Sequence, residues 1–420
     1  MAKDQRHYYD HKKPWSRVKD DLLGVYLAAY FQKVLTTGKP IHYIDCFAGR
    51  GEFLDGDPGS PVIALHQAEM CLNQARPGHQ GISMTFIEAQ HGADLDVIVA
   101  KAANAQVTPV PTRVVCGRFE QEACPAVAAS AGQNVFLYID PYGIKDLQFD
   151  RLTGFGNRSL RLNSVELLMN FNSFGFIRAA CRAMKVAYEE DPDLVVDDEE
   201  FADSFDKAAE PPSVALLDSI AGGTNWRAIV GAIAGGQING LTAERQFSDM
   251  YRDKLRETYR YVLSMPIRVA RHRHPKYRMI HATNHPQGCV LMAEDMMKRT
   301  EDLYIHIAAY KQASLFDEDA EGDVTDAQRI EDVVRSLALS LRHWTDVEEV
   351  LAGFYSSAGV ICRSGEVTAV LRRMEQERLI DVDRHPETTK TGQASTFFRA
   401  PRGGWVRIRA TDRRKGKPDE

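Results

Sequence analysis

Five short apolar runs, separated by stretches of helical periodicity, limit this chain to few folds. They are the strand-like segments at 41–45, MTFIEAQ, TRVVCGRF, NVFLYIDPYG and SVELLMNFN. Helical patterns at 91–105 and 119–131 lie between them. Residues 16–35 also read as a helix, because Val18, Leu22, Tyr26, Ala29 and Val34 recur near i, i+4 with no proline among them. A loop through DGDPG leads into another helix, with Ser60 as its expected N-cap and Pro61 at its first position. Strands alternating with helices predict a parallel sheet covered on both faces. The unbroken run VFLYI fits a strand buried on both sides.

The pattern changes after residue 181. Residues 182–260 are first acidic and then helical, and read as an insertion. MPIRVARHRHPKYRMIHATN predicts a strand, a turn at Pro275 and a second strand, which together would form an antiparallel edge on the sheet. A helix follows at about 287–312. KQASLFDEDAEGDVTDA, 311–327, is polar and acidic and reads as a linker. Beyond it TDVEEVLAGFYSSA and RSGEVTAVLRRMEQERLI predict two helices, the second with Ser364 at its N-cap, and LIDVDR and STFFRA predict a β-hairpin. Helix, helix, hairpin is the outline of a winged helix-turn-helix. The expected fold class is therefore α/β, a Rossmann-like sheet with a helical insertion, plus a C-terminal winged helix. The expected domains are 1–310, with the insertion at 182–260, a linker at 311–327, the winged helix at 328–411 and a basic tail at 412–420.

Composition narrows the setting. A chain of 420 residues has room for two or three domains at about 100–200 residues each. Net charge is −6, so contact with nucleic acid would have to come from a local basic patch. The seven cysteines are scattered and form no CxxC pair, which argues against a zinc site and a disulfide framework and favours a reducing cytoplasm. No metal is expected. The N-terminal MAKDQRHYYDHKK is too polar for a signal peptide, and no apolar run reaches the roughly 20 residues of a membrane span.

The candidate site follows from the strand ends. In IHYIDCFAGRGEF, Asp45 closes the first strand and Gly49 and Gly51 follow it. In a Rossmann-like sheet a nucleoside ligand sits at the carboxyl ends of the strands. Glycines let the first turn approach it, and an acid ending the second strand takes the ribose hydroxyls. Gly49 and Gly51 supply the first need and Glu88 the second. Asp45 would suit an ammonium group, which S-adenosylmethionine has and NAD lacks. The dinucleotide pattern GxGxxG is absent, since Gly51 is followed by Glu52, Phe53 and Leu54. A plain glycine-lined turn against a helix remains the alternative. The fourth strand delivers Asp140, Pro141, Tyr142 and Gly143 to the same edge. A carboxylate and a proline carbonyl accept hydrogen bonds from an exocyclic amine, and a tyrosine ring stacks on a base. NFNSFGF, 170–176, ends the fifth strand and either walls this pocket or simply packs.

DCFAGRGEF, GSP, FIEAQ, IDPYG and YRMIHATNHPQG together resemble the three-Cys-motif partner (TcmP) family, over most of the first 310 residues. The terminal winged helix also fits that family. The family resembles class I S-adenosylmethionine-dependent methyltransferases. Its implied partner is a radical-SAM-like three-Cys-motif protein. DCFAGRG is similar to motif I of DNA methyltransferases, and DPYG to the DPPY and DPFG motifs of amino-methyltransferases. The resemblance implies that Asp45, Phe47, Gly49 and Gly51 bind the cofactor, Glu88 its ribose and Phe119 its adenine. The usual acid after the third strand is replaced by Gly117 and Arg118. It implies that Asp140, Pro141 and Tyr142 engage the target amine. Lys19 matches a family position without an assigned role. The winged helix would bind DNA or RNA through Arg363, Arg372, Arg373 and Arg378 and the basic tail, or else a protein. Two functions stay open: a methyltransferase acting on a base amine, and a non-catalytic nucleotide-binding partner of the three-Cys-motif protein.

Overall fold

The computed structural model describes residues 14–53, 55–187, 211–268, 275–310, 327–389, 391–401 and 403–411. The expected linker (apart from Ala327), the acidic start of the insertion and the tail from Asp412 lie outside them. The chain divides into two compact units, Met1–Asn284 with Lys298–Asp319, and His285–Met297 with Ala320–Glu420.

The first unit is α/β. Its sheet has seven strands in the order β3-β2-β1-β4-β5-β7-β6. These are β1 (Ile41–Asp45), β2 (Ile82–Glu88), β3 (Thr112–Cys116), β4 (Asn134–Ile139), β5 (Ser164–Phe171), β6 (Tyr261–Arg268) and β7 (Pro275–Thr283). The first five are mutually parallel, and β7 is antiparallel to both β5 and β6. Pro275 begins β7 rather than turning the hairpin; a proline at a strand's first residue leaves the ladder intact. Every residue of β4 is buried, as its apolar run requires. Helices α1 (Pro14–Leu35), α2 (Ser60–Gln74), α3 (Gly92–Asn104), α4 (Phe119–Ala128), α5 (Phe149–Gly154) and α6 (Ser173–Ala183) connect and flank the strands. The N-cap of α2 is Gly59, not Ser60. Gly59 is extended and its N–H donates to Gly51 O at 2.9 Å, while the Ser60 hydroxyl bonds Asp45.

Strand order fixes where a ligand goes. The chain leaves β1 for β2 and β3 on one side, then crosses to β4 on the other. That reversal opens a crevice beyond the carboxyl ends of β1 and β4.

The insertion carries helices α7 (Val214–Ala221), α8 (Trp226–Ala234) and α9 (Gly240–Leu255). α9 docks through aromatic stacking, with Phe247 4.1 Å from Phe176 and Tyr251 4.6 Å from Phe171. It is also tied by a buried ion pair. Glu244 accepts from Arg278 of β7 through two bonds, the Nη2 one at 2.9 Å, and from the Ser173 hydroxyl.

The second unit combines helices with a small antiparallel sheet, β8-β10-β9. The described part of α10 (Pro286–Tyr310) up to Met297 belongs to it, with α11 (Ala327–Ser340), α12 (Val347–Ala358) and α13 (Ser364–Gln376). Its strands are β8 (Thr345–Asp346), β9 (Ile380–His385) and β10 (Trp405–Ala410). Two expectations fail here. The N-cap of α13 is Arg363 rather than Ser364, because Arg363 is extended and its N–H donates to Glu366 at 2.9 Å. STFFRA is not a strand; β9 pairs instead with WVRIRA. In β10 Val406 and Ile408 are buried and alternate with exposed residues, which suits a half-covered sheet. Phe398 is buried outside the ladder, with Arg372 and Arg384 against its ring. Among the described residues no helix is long and apolar enough to cross a membrane.

The Glu244–Arg278 pair generates a test. Glu244→Ala leaves a buried guanidinium without its carboxylate, at a cost of about 3–5 kcal/mol. Urea denaturation should show that loss, and Arg278→Met added to Glu244→Ala should recover most of it.

Candidate functional site

The strand ends of the first unit line one cavity of about 610 Å³. Phe47 to Phe53 come from the turn after β1, Glu88 to His91 from the end of β2, Gly117 to Glu120 from the end of β3, and Asp140 to Gly143 from the end of β4. Asn170 enters from β5, Asn172 from the N-cap of α6, Lys276 and Tyr277 from β7, and Lys19 from α1. The volume suits a ligand of nucleoside size.

The turn after β1 is built for close approach. Gly49 and Gly51 have φ of 61° and 85°, the left-handed region that favours glycine. A Cβ on Gly51 would stand 3.1 Å from both Leu95 and Ile98 of α3. Three successive amides of the turn are already engaged. Phe47 N–H donates to Asp45 at 3.2 Å, Ala48 N–H to Ile87 O at 3.0 Å and Gly49 N–H to Glu88 at 2.9 Å. They leave no phosphate nest at these positions. The second Glu88 oxygen accepts from Gln90 and His91 N–H at 2.7 and 3.1 Å.

Asp45 lies beneath the turn rather than on the cavity wall, and is wholly buried. Burial pushes its carboxyl up to about 7, against the hydrogen bonds from Ser60, Phe47 N–H and Tyr43 that favour its charged form. Its visible work is to hold the turn from below. Phe47 and Phe119 both line the cavity, their rings 5.0 Å apart. Behind them Phe119 meets Phe155 at 6.4 Å.

Asp140 is held from three directions. Its Oδ2 accepts from Lys19 Nζ at 2.7 Å and from the Tyr138 hydroxyl at 3.3 Å, and its Oδ1 accepts from Asn170 Nδ2 at 2.7 Å. The Lys19 side chain is only 7% exposed, so this ion pair is shielded from solvent. Lys19 Nζ also lies 5.2 Å from the Tyr277 ring centre. Tyr142, next to Pro141, is 58% exposed. The register explains the meeting: Ile139 pairs with Met169, so Asp140 and Asn170 leave adjacent parallel strands together. Lys19 is placed by Tyr26, two helical turns on, whose hydroxyl donates to Glu166 of β5 at 2.5 Å.

A second acidic pair stands at the β3 and β4 side of the cavity. Burial and the neighbouring Glu120 carboxylate push Asp146 up to about 7, while a hydrogen bond with Asp146 holds Glu120 below the usual range. The sequence carries no signal for this pair, because its proximity depends on the tertiary fold; Lys276 and Tyr277 lie in the basic run RHRHPKYR, whose concentration of bases is a signal for a phosphate grip. Asn170 carried one: it is a polar residue near the end of an otherwise apolar run.

Comparison with family models, curated proteins and solved structures returns no match.

The raised carboxyls set a pH dependence. Above about pH 4 the unfolded chain releases the protons that native Asp45 and Asp146 keep until about 7. The native state then binds more protons, so stability falls as pH rises from 4 to 7 and levels off above. Urea midpoints at pH 5 and pH 8 should show this fall. Asp45→Asn should remove part of it and leave the portion due to Asp146.

Proposed function

We propose that the protein is an S-adenosylmethionine-dependent methyltransferase acting on an exocyclic amine of a nucleobase in DNA or RNA. The observation that carries this reading is the opening of the glycine turn, Glu88 and the Asp140–Gly143 turn into one cavity at the point where the strand order reverses. The charge of the lining favours this cofactor class over a dinucleotide. Six acidic side chains, Asp20, Glu52, Glu88, Glu120, Asp140 and Asp146, the last holding its proton until about pH 7, face Lys19, Arg50, Arg118 and Lys276. Such a wall suits a cationic ligand. A pyrophosphate would meet the carboxylates, with the amides of Phe47, Ala48 and Gly49 already engaged.

The residues fit the group. Gly49, Gly51 and Phe47 would hold it along the turn, Glu88 would take the ribose hydroxyls and Phe119 would stack on the adenine. Asp45 would act through the turn it supports. S-adenosylmethionine supplies an activated methyl group on a sulfonium. The chain's part is to bring the amine in line with that methyl, since alignment removes translational freedom from the reaction. Tyr142 would stack on the target base, and Pro141 and the Asp140–Asn170 pair would face its amine.

The second unit, in which α11, β8, α12 and α13 precede β9 and β10, is read as a winged helix-turn-helix. Its arginines carry less available charge than their number suggests. Arg373 pairs with Glu331 at 2.8 Å, Arg384 with Glu375 at 2.7 Å, Arg407 with Asp346 at 3.3 Å and Arg409 with Asp381 at 3.0 Å. This pairing favours a second reading for that unit, docking onto a protein such as the radical-SAM-like three-Cys-motif partner. Phosphate contact would then fall to Arg372, Arg378 and the residues past Thr411.

Three measurements test these readings. Calorimetry with S-adenosylhomocysteine should show binding that Gly49→Val weakens about tenfold or more, and tritiated cofactor should label nucleic acid; a folded Gly49→Val variant with unchanged affinity places the cofactor elsewhere. Removal of residues 412–420 keeps β10, the central strand of the small sheet, and takes away Arg413, Arg414, Lys415 and Lys417. If those four charges engage a duplex, the log–log salt slope of binding should flatten by about 3 to 4. An unchanged slope favours the protein-docking reading.

A further inference from the structure

Asn170 has an acceptor with nothing to accept. Its Oδ1 is buried and has no hydrogen-bond partner among the described residues. Burying such an atom unpaired costs about 1–3 kcal/mol. The amide is not free to turn over and hide it. Its Nδ2 donates to Asp140 Oδ1 at 2.7 Å, and a flipped amide would set oxygen against a carboxylate. Asp140 is itself fixed by Lys19 at 2.7 Å and Tyr138 at 3.3 Å. Asn170 and Asp140 both line the cavity, beside Pro141 and Tyr142.

We propose that Asn170 Oδ1 is the acceptor for an N–H of the base that enters this cavity, and that Lys19 and Asp140 are positioning residues that lock it in that role. The proposal rests on the reading of an exocyclic amine as target, and it moves direct recognition of that amine from Asp140 to Asn170. Three of the roughly four acceptor sites of Asp140 are already taken, so its main contribution is orientation. The site becomes selective by this arrangement. An amino group gives Asn170 its missing hydrogen bond. A carbonyl at the same position sets two acceptors together and leaves the cost of burial unrelieved. Whichever of adenine, cytosine and guanine the cavity takes is accepted, and its keto counterpart, hypoxanthine, uracil or xanthine, is refused.

The test is binding by full-length protein saturated with S-adenosylhomocysteine, followed by ligand-observed NMR titration. The probes are 9-methyladenine against 9-methylhypoxanthine, 9-methylguanine against 9-methylxanthine, and 1-methylcytosine against 1-methyluracil. At least one amino base should bind about tenfold or more tightly than its keto counterpart. Asn170→Leu should bring the two within about twofold while S-adenosylhomocysteine affinity stays within about threefold. Lys19→Met should reduce the preference and Lys19→Arg restore it, a rescue that a merely structural lysine would not give in base selectivity. If Asn170→Leu fails to fold, Asn170→Ala and the Lys19 pair decide the matter. A preference that survives loss of the Asn170 amide overturns the role of Asn170 alone. Failure of wild-type protein to bind S-adenosylhomocysteine overturns the cofactor reading and this role with it. Cofactor binding without any amino-over-keto preference overturns the amine subsite and leaves the cofactor reading standing.

Discussion

A carboxylate at the mouth of a parallel sheet must be partnered or exposed, and Asp140 is partnered. Its bonds to Lys19, Tyr138 and Asn170 join α1, β4 and β5 at one point. That point depends on packing further back. Tyr26 fixes α1 on the sheet through Glu166, which His281 of β7 also approaches at 3.2 Å. Lys19 therefore reaches Asp140 from a helix already registered against the strands. A lysine on a loop would lose more side-chain entropy to make the same pair. The ion pair is also dry enough to be strong in geometry while adding little net stability, since desolvation offsets attraction. Its value lies in orientation.

Much of this architecture was legible from the chain alone. The apolar runs of β1 to β5 place the parallel strands, and the late pair of strands does form an antiparallel edge. The failures share a cause. STFFRA and WVRIRA are both short, apolar and arginine-bearing, and only the ladder with β9 distinguishes them. Likewise nothing in DCFAGRG tells whether Asp45 looks into the cavity or sits below it. Sequence gives the order of residues along a turn; depth depends on the neighbouring strands. β4 on one side and β2 on the other enclose Asp45 completely.

The basic surface of the second unit shows the same limit in electrostatic form. Counting arginines overstates a charge that facing acids cancel. β9 and β10 alternate in register, so Asp381 stands opposite Arg409 and Asp383 opposite Arg407. The acids are as much part of the pattern as the bases. Arg409 additionally lies 4.4 Å from the Trp344 ring centre and Arg407 5.2 Å from that of Trp405. An arginine stacked on an indole and bonded to an aspartate is held in place, and each phosphate contact would have to displace one of those partners.

The glycine turn shows why backbone accounting says more about a ligand than a motif does. A phosphate-binding turn directs successive N–H groups outward. Here the N–H groups of Phe47, Ala48 and Gly49 all point back into the protein. Glu88 performs two tasks at once: one oxygen closes the turn, and the other takes two amides at the end of β2. The turn is thus braced by the protein's own groups from Phe47 to Gly49, and the positive-φ glycines let its backbone come close. A group that needs a snug backbone and tolerates acidic walls gains from such a site. A group that needs bare amides does not. The difference between a turn that offers closeness and one that offers donors rests on three hydrogen bonds that the glycine pattern does not reveal.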